Sequence, residues 1–191
     1  MAFIAKNPFS GKILKEVAFN SRPEIAAKIG NLHSYFENTK NAEISYRKDK
    51  LKKYEKMLTN HADDFAYAIS SNMGKPITQA KVEVLRSIEM VQWNHEHAEK
   101  MTSGTFNDAA DGKAGWRLKP TGIIHKIAPF NFPLVLILKN VISNAVAGNC
   151  SLVRPAQTVP DVGVLLEELT KQYGIGGVDI VYSQAEDLDF I

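Results

Sequence analysis

The sequence contains a single cysteine, Cys150, so no intrachain disulfide can form. Thiol usage this sparse, with no charged-then-apolar leader over residues 1–20, fits a reducing, cytoplasmic setting. Long hydrophobic runs are also missing. The most apolar stretch, residues 127–138, is broken by Pro129, Asn131 and Pro133, whereas a membrane-spanning helix needs about 20 mostly apolar residues. No membrane partner is therefore expected. Neither sign of charge is in surplus: 23 basic against 21 acidic side chains leave +2, too little to argue for a nucleic-acid partner. What remains is the balance of an ordinary globular protein, 191 residues with 45% hydrophobic and 23% charged, enough for one domain or one domain with an appendage.

Residues 3–19 alternate apolar and polar around Asn7-Pro8-Phe9-Ser10-Gly11, which predicts a hairpin. Ser21-Arg22-Pro23-Glu24 then supplies a helix-start box for a helix to about Asn38. A start signal at Asn60-His61-Ala62-Asp63 divides residues 42–71 into two helices, and Asn72-Met73-Gly74-Lys75-Pro76 stops and restarts the chain. Over residues 77–101, Val84, Leu85, Ile88, Val91, Ala98 and Met101 recur near helical spacing and predict the longest helix, packed by that face. Residues 102–120 are polar and rich in small side chains, with Asp111-Gly112 as the turn of a two-stranded arm.

The last third alternates strands (122–128, 150–153, 178–182) with helices (132–146, and one capped by Thr158-Val159-Pro160-Asp161 that runs to about Tyr173). That rhythm predicts an α/β fold with a parallel sheet. Gly174-Ile175-Gly176-Gly177 follows a helix and precedes a strand, the wrong order for a phosphate-cradling loop, and reads as a connection. His95 and His97, two apart on a helix, face different directions, so no metal site is expected. The basic run Arg47-Lys48-Asp49-Lys50-Leu51-Lys52-Lys53 reads as a solvated helix face rather than a nucleic-acid patch.

At Pro129-Phe130-Asn131-Phe132-Pro133-Leu134 a carboxamide sits in a proline-framed turn between a strand and an apolar helix, and there the chain resembles the aldehyde dehydrogenase superfamily. The resemblance continues through Ala147-Gly148-Asn149 and Leu152-Val153-Arg154-Pro155-Ala156-Gln157-Thr158-Val159-Pro160. Upstream, the Asn7 to Gly11 turn, Met73-Gly74-Lys75-Pro76 and Pro120-Thr121-Gly122-Ile123-Ile124 fall in the family's order. The resemblance implies an incomplete Rossmann-like parallel sheet with flanking helices, in which residues 1–101 and 121–191 form part of a nucleotide-binding domain. Residues 102–120 would then be a protruding β-hairpin that joins subunits.

In that family a cysteine thiolate attacks the aldehyde, hydride passes to the nicotinamide, and a glutamate activates water to release the acid. The resemblance places Asn131 as the amide donor to the developing oxyanion; the alternative from the residues alone is a cap of the following helix. Cys150 falls where the family has a core residue and reads as a small buried hydrophobe. The nucleophile and base are expected beyond Ile191, so the chain alone should be inactive without a complementing C-terminal polypeptide.

Ile127, Ala128, Pro129 and Phe130 match the segment lining the nicotinamide side of the cofactor cleft, and Arg154, Ala156 and Gln157 the segment beneath the adenosine ribose. The family usually has lysine at the position of Arg154 and often glutamate at that of Gln157. A neutral Gln157 removes repulsion of a 2′-phosphate and Arg154 offers a forked donor, so NADP is favoured over NAD. Family analogy suggests succinate semialdehyde as the aldehyde. A second reading is a non-catalytic assembly module that keeps half of the fold and pairs through its arm and exposed sheet edge. Both readings expect self-association.

Overall fold

The computed structural model describes residues 2–187 and Ile191. Its N-terminal hairpin pairs β1 (Ala2–Lys6) with β2 (Ile13–Ala18) antiparallel. The Asn7 carboxamide oxygen accepts from the N–H groups of Phe9 (3.0 Å) and Ser10 (2.9 Å), which folds the turn. Helix α1 (Arg22–Thr39) starts on the expected box: the Ser21 hydroxyl accepts from the Glu24 N–H while the Glu24 carboxylate accepts from the Ser21 N–H.

The next two helices, α2 (Ile44–Asn60) and α3 (Ala62–Met73), divide where expected, but by a different device. His61 serves both ends without a side-chain cap, and Asn60 instead donates to the Tyr173 hydroxyl at 3.0 Å. Helix α4 (Ile77–Thr102) is the longest element. Its buried face carries Ala80, Glu83, Val84, Ser87, Val91, Asn94 and Ala98, whereas Leu85 and Met101, expected inside, are exposed. The polar members are tolerated because Ser87 donates to the Glu83 carbonyl and Asn94 to that of Met90.

Strands β3 (Thr105–Ala109) and β4 (Gly112–Trp116) form the expected antiparallel arm, with its turn at Ala110 and Asp111. The last third is a parallel three-stranded sheet in the order β5 (Ile123–Ile127), β6 (Cys150–Arg154), β7 (Val178–Ile180), separated by α5 (Val135–Ala147) and α6 (Pro160–Gln172). Alternation along the central strand sorts the two layers. Cys150 and Leu152 pack with Ile25, Leu32 and Phe36 of α1, while Val153 joins the larger core formed by α2 to α6. A short 3₁₀ turn, Ala185–Asp187, follows. Among the described residues no helix is long and apolar enough to cross a membrane.

Two helix starts depart from expectation. Helix α5 begins at Val135, three residues after Phe132, and α6 is not capped by Thr158. Its first-turn Asp161 exchanges two bonds with Asn72 at the end of α3, one from the Asn72 amide to the Asp161 carboxylate (2.7 Å) and a longer one (3.4 Å) from the Asp161 N–H. This cap is tertiary.

Lys28 of α1 ties the first layer to the sheet, reaching Asp179 at 2.7 Å and Glu167 at 3.1 Å, all three side chains being mostly buried. Burial pushes the Lys28 ammonium down, but the two carboxylates outweigh it and the net shift is upward. Burial likewise pushes Glu167 up, and its bonds to Lys171 and Lys28 bring it below the ordinary glutamate value. A carboxylate lowered by folding stabilises the native state above its unfolded pKa and loses that contribution as pH falls through the folded value. Lys28→Met should therefore cost about 1–2 kcal/mol near neutrality. The difference from the parent should shrink below the ordinary glutamate range, as followed by urea unfolding across pH.

Candidate functional site

The two segments assigned to a cofactor meet at the carboxyl ends of adjacent parallel strands. Ile127 and Arg154 are register partners across β5 and β6, and the Ala128 N–H donates to the Arg154 carbonyl at 2.9 Å. Small, buried Ala128 and Ala156 floor this edge, while Ile127, Pro129, Phe130 and Gln157 are exposed on it. The crevice outside the carboxyl ends of parallel strands is where open α/β sheets bind ligands. Beside it a cavity of about 300 Å³ is lined by Asn72, Met73, Phe130, Thr158 and Val159.

Arg154 is placed differently from its neighbours. Its Nε donates to the Ser183 carbonyl at 2.8 Å and its guanidinium carbon lies 5.1 Å from the centre of the Phe3 ring. The Nε edge of the fork is thus engaged by the segment after β7 and its face by the β1 ring, which leaves only the Nη groups for any anion. Burial lowers its pKa from the ordinary arginine value. Gln157, by contrast, is exposed and makes no hydrogen bond among the described residues.

Asn131 lies exposed in the turn between β5 and α5, and its carboxamide has no hydrogen-bond partner among the described residues. It does not cap α5, whose N-cap is Leu134. The cap comes from α4: one Glu83 carboxylate oxygen accepts from the N–H groups of Leu134 (3.0 Å) and Val135 (3.3 Å). A carboxylate there also meets the positive end of the helix dipole. The other Glu83 oxygen pairs with the Lys75 ammonium at 2.6 Å, with side chains 1% and 11% exposed respectively. Lys75 in turn donates to the Asn131 backbone carbonyl at 3.1 Å and lies 4.2 Å from the centre of the Phe132 ring. The loop carrying Asn131 is therefore held through its backbone while its side chain is left free.

Sequence reasoning missed this bracket. Lys75 stood in a recognised motif without a role, and Glu83 was not singled out at all. The available signal was its spacing: Ala80, Glu83, Val84, Ser87 and Val91 share one helix face, so an acid at that position must be buried with partners.

Cys150 is buried in β6, and burial raises its thiol pKa above the ordinary value, the opposite of an activated nucleophile. Among the described residues no group of three or more His, Cys, Asp or Glu side chains is placed to hold a metal ion. His97 stacks on Trp93 with ring centres 4.3 Å apart.

Comparison with known proteins agrees with this architecture. The succinate-semialdehyde dehydrogenase of Rattus norvegicus mitochondria is 30% identical over 174 residues, covering 91% of this chain and 33% of that protein. Succinate semialdehyde dehydrogenase [NAD(P)+] Sad of Escherichia coli is 29% identical over 172 residues, 90% of this chain and 37% of that one. Among solved structures, a glyceraldehyde-3-phosphate dehydrogenase from Methanocaldococcus jannaschii complexed with NADP superposes with a TM-score of 0.86 at 27% identity, covering 96% of this chain and 41% of that chain. The chain spans about a third of the length of the curated relatives it matches. The Aldehyde dehydrogenase family model matches residues 2–185, nearly the whole sequence, and the chain belongs to that family.

Proposed function

We propose that this chain is the N-terminal part of the nucleotide-binding domain of an NADP- or NAD-dependent dehydrogenase that oxidises succinate semialdehyde or a related aldehyde to the acid. The observation that carries the reading is the free Asn131 carboxamide, held by its backbone at the carboxyl edge of a parallel sheet. A preorganised amide donor with no competing partner is suited to a developing oxyanion. The relatives named for succinate semialdehyde support the substrate class.

The residues present suit a nicotinamide dinucleotide. Ala128 and Ala156 leave the strand ends open to close approach, and Ile127, Pro129, Phe130 and Gln157 offer an exposed wall beside them. When bound, the nicotinamide accepts hydride. This chain's own residues would contribute the wall and the amide donor, while the nucleophilic cysteine and the base would come from a complementing C-terminal polypeptide, without which the chain would not turn over aldehyde. An uncharged Gln157 supports NADP over NAD; the engaged Nε of Arg154 makes Gln157 the stronger of the two reasons.

The arm, residues 102–120, is read as a subunit-joining element because Phe106, Trp116 and Leu118 are each more than half exposed on it. Its partner would be a second copy or a complementing C-terminal polypeptide. The same surface would serve a non-catalytic assembly module. A cytoplasmic setting rests on the lone, buried thiol.

Nucleotide titration followed through backbone amide resonances separates these readings. Saturable shifts confined to residues 127–131 and 154–157, larger for NADP than for NAD, are expected. Glutamate at position 157 (Gln157→Glu) should weaken NADP relative to NAD by about tenfold, or roughly 1.4 kcal/mol. Silence with both nucleotides in a folded sample would favour the assembly module.

A further inference from the structure

The basic stretch of α2 is only in part the solvated face that its sequence suggests. Lys52 is exposed, but Arg47 donates to the Val146 carbonyl at 3.0 Å, and Lys50 turns into a small cavity of about 60 Å³ lined with Tyr35, Tyr46, Asp49, Lys53, Gly174 and Gly176. The Lys50 ammonium lies 4.9 Å from the centre of the Tyr35 ring and 5.9 Å from that of Tyr46. It has no hydrogen bond or ion pair among the described residues.

The glycine connection makes this possible. A Cβ on Gly176 would sit 2.3 Å from the Tyr35 ring, and one on Gly177, whose φ is +80°, 2.8 Å from that ring and 3.2 Å from the Lys50 nitrogen. Two successive glycines therefore let an aromatic ring and an amine press against the backbone.

We propose that Lys50 is a site of covalent acylation by small acyl phosphates. Its nitrogen attacks the acyl carbonyl, a C–N bond forms as the bond from acyl carbon to phosphate oxygen breaks, and the electron pair leaves with inorganic phosphate. The surplus proton on nitrogen passes to that phosphate or to water. Lys53 on the cavity wall and Arg47 nearby make the surroundings electropositive, and the Tyr35 and Tyr46 hydroxyls, 2.8 Å apart, retain one O–H to donate to a phosphate oxygen. The cavity has room for a few water molecules and hence for a small acyl group.

The groups facing Lys50 are few. From α1 comes Tyr35; from α2 come Tyr46, Arg47, Lys53 and Asp49, the last paired with Lys52 at 3.3 Å; from β6 comes Cys150; the glycine connection offers only backbone. Burial pushes the Lys50 ammonium down to about 8, with Arg47 and Lys53 adding repulsion. The Cys150 thiol, which as a thiolate would oppose this, is itself raised by burial and stays neutral at that pH. A neutral amine at near-physiological pH is the reactive form, and acylation removes a charge that the site disfavours.

The proposal is tested on the whole chain with acetyl phosphate, quantifying each lysine by peptide mass spectrometry between pH 7 and pH 9. Lys50 should react on the order of tenfold faster than exposed Lys52 at pH 7.5, the gain in free amine being partly offset by its lower nucleophilicity. Its rate should level off above the midpoint near 8, whereas that of free lysine added as an internal standard keeps rising. Added inorganic phosphate should slow labelling of Lys50 and leave Lys52 unchanged, and Lys53→Gln should reduce the preference. Equal rates at Lys50 and Lys52, or labelling of Lys50 only in urea, would overturn the proposal. Equal preference for Lys50 with an uncharged acetyl ester would overturn the capture of phosphate. None of these readouts depends on dehydrogenase activity.

Discussion

Asn131→Ala should leave the unfolding free energy within about 0.5 kcal/mol of the parent, because the side chain is exposed and bonds to nothing in the fold. In an enzyme assembled from this chain and the C-terminal part of a longer relative, the same change should lower kcat by about 10²–10³-fold, the usual cost of one oxyanion donor. KM should change far less, since the donor is needed most where negative charge develops. The combination is diagnostic. A residue retained for the fold would lose stability on truncation, and a residue without function would lose neither. Had the carboxamide capped α5, stability would fall by about 1 kcal/mol, but Glu83 already occupies that role. Steady-state kinetics and urea unfolding on the same samples check both halves of the expectation.

The largest effect on stability is expected at Glu83. Removing its carboxylate (Glu83→Ala) leaves the Lys75 ammonium without its ion-pair partner at 11% exposure and strips the acceptor from two N–H groups at the start of α5. Breaking a buried pair from one side costs about 3–5 kcal/mol, a large part of the roughly 5–15 kcal/mol that holds a domain together. Glu83→Gln should cost less, because the amide oxygen can still receive the two N–H groups while the charge pairing is lost. Combining Glu83→Gln with Lys75→Met should cost less than the sum of the single changes, since each single variant leaves a group stranded. The midpoint of urea unfolding should move with little change in slope. A Glu83→Ala variant within about 0.5 kcal/mol of the parent would mean that the bracket does not bear on stability. Variants that remain folded should also turn over more slowly in the reassembled enzyme, because Lys75 tethers the Asn131 carbonyl and small displacements of a reacting group are costly.

Much of the fold was legible because its signals are local. The Asn7 turn, the Ser21–Glu24 box, and the stops at Gly74 and Gly148 act within a few residues of themselves, and the structure places each where expected. Gly148 shows why its stop holds: it sits at φ 84°, and a Cβ there would lie 2.8 Å from the Arg47 guanidinium. The strand and helix rhythm of the last third likewise announced the parallel sheet.

What escaped the sequence is what depends on distant partners. The buried face of α4 was read only in part: Val84, Val91 and Ala98 are buried and Ile88 packs against the core, but Leu85 and Met101 are exposed, and hydrophobic periodicity ignores polar residues that find partners inside, of which Glu83 is the clearest case. The start of α6 takes its cap from Asn72, 89 residues away, and no local pattern can announce that. Lys50 was misread for the same reason, since its surroundings come from α1 and from the connection before β7. In the candidate site the motif singled out Asn131, while the ion pair that holds its loop spans Lys75 and Glu83, on the far side of a helix start.

The most direct test is reassembly. This chain, produced with the C-terminal part of a longer relative, should give NADP-dependent oxidation of succinate semialdehyde that neither part shows alone and that Asn131→Ala abolishes almost entirely. Activity that is indifferent to this chain, or a folded, associated pair with no dehydrogenase activity, would contradict the assignment of one cofactor wall and one oxyanion donor to these residues.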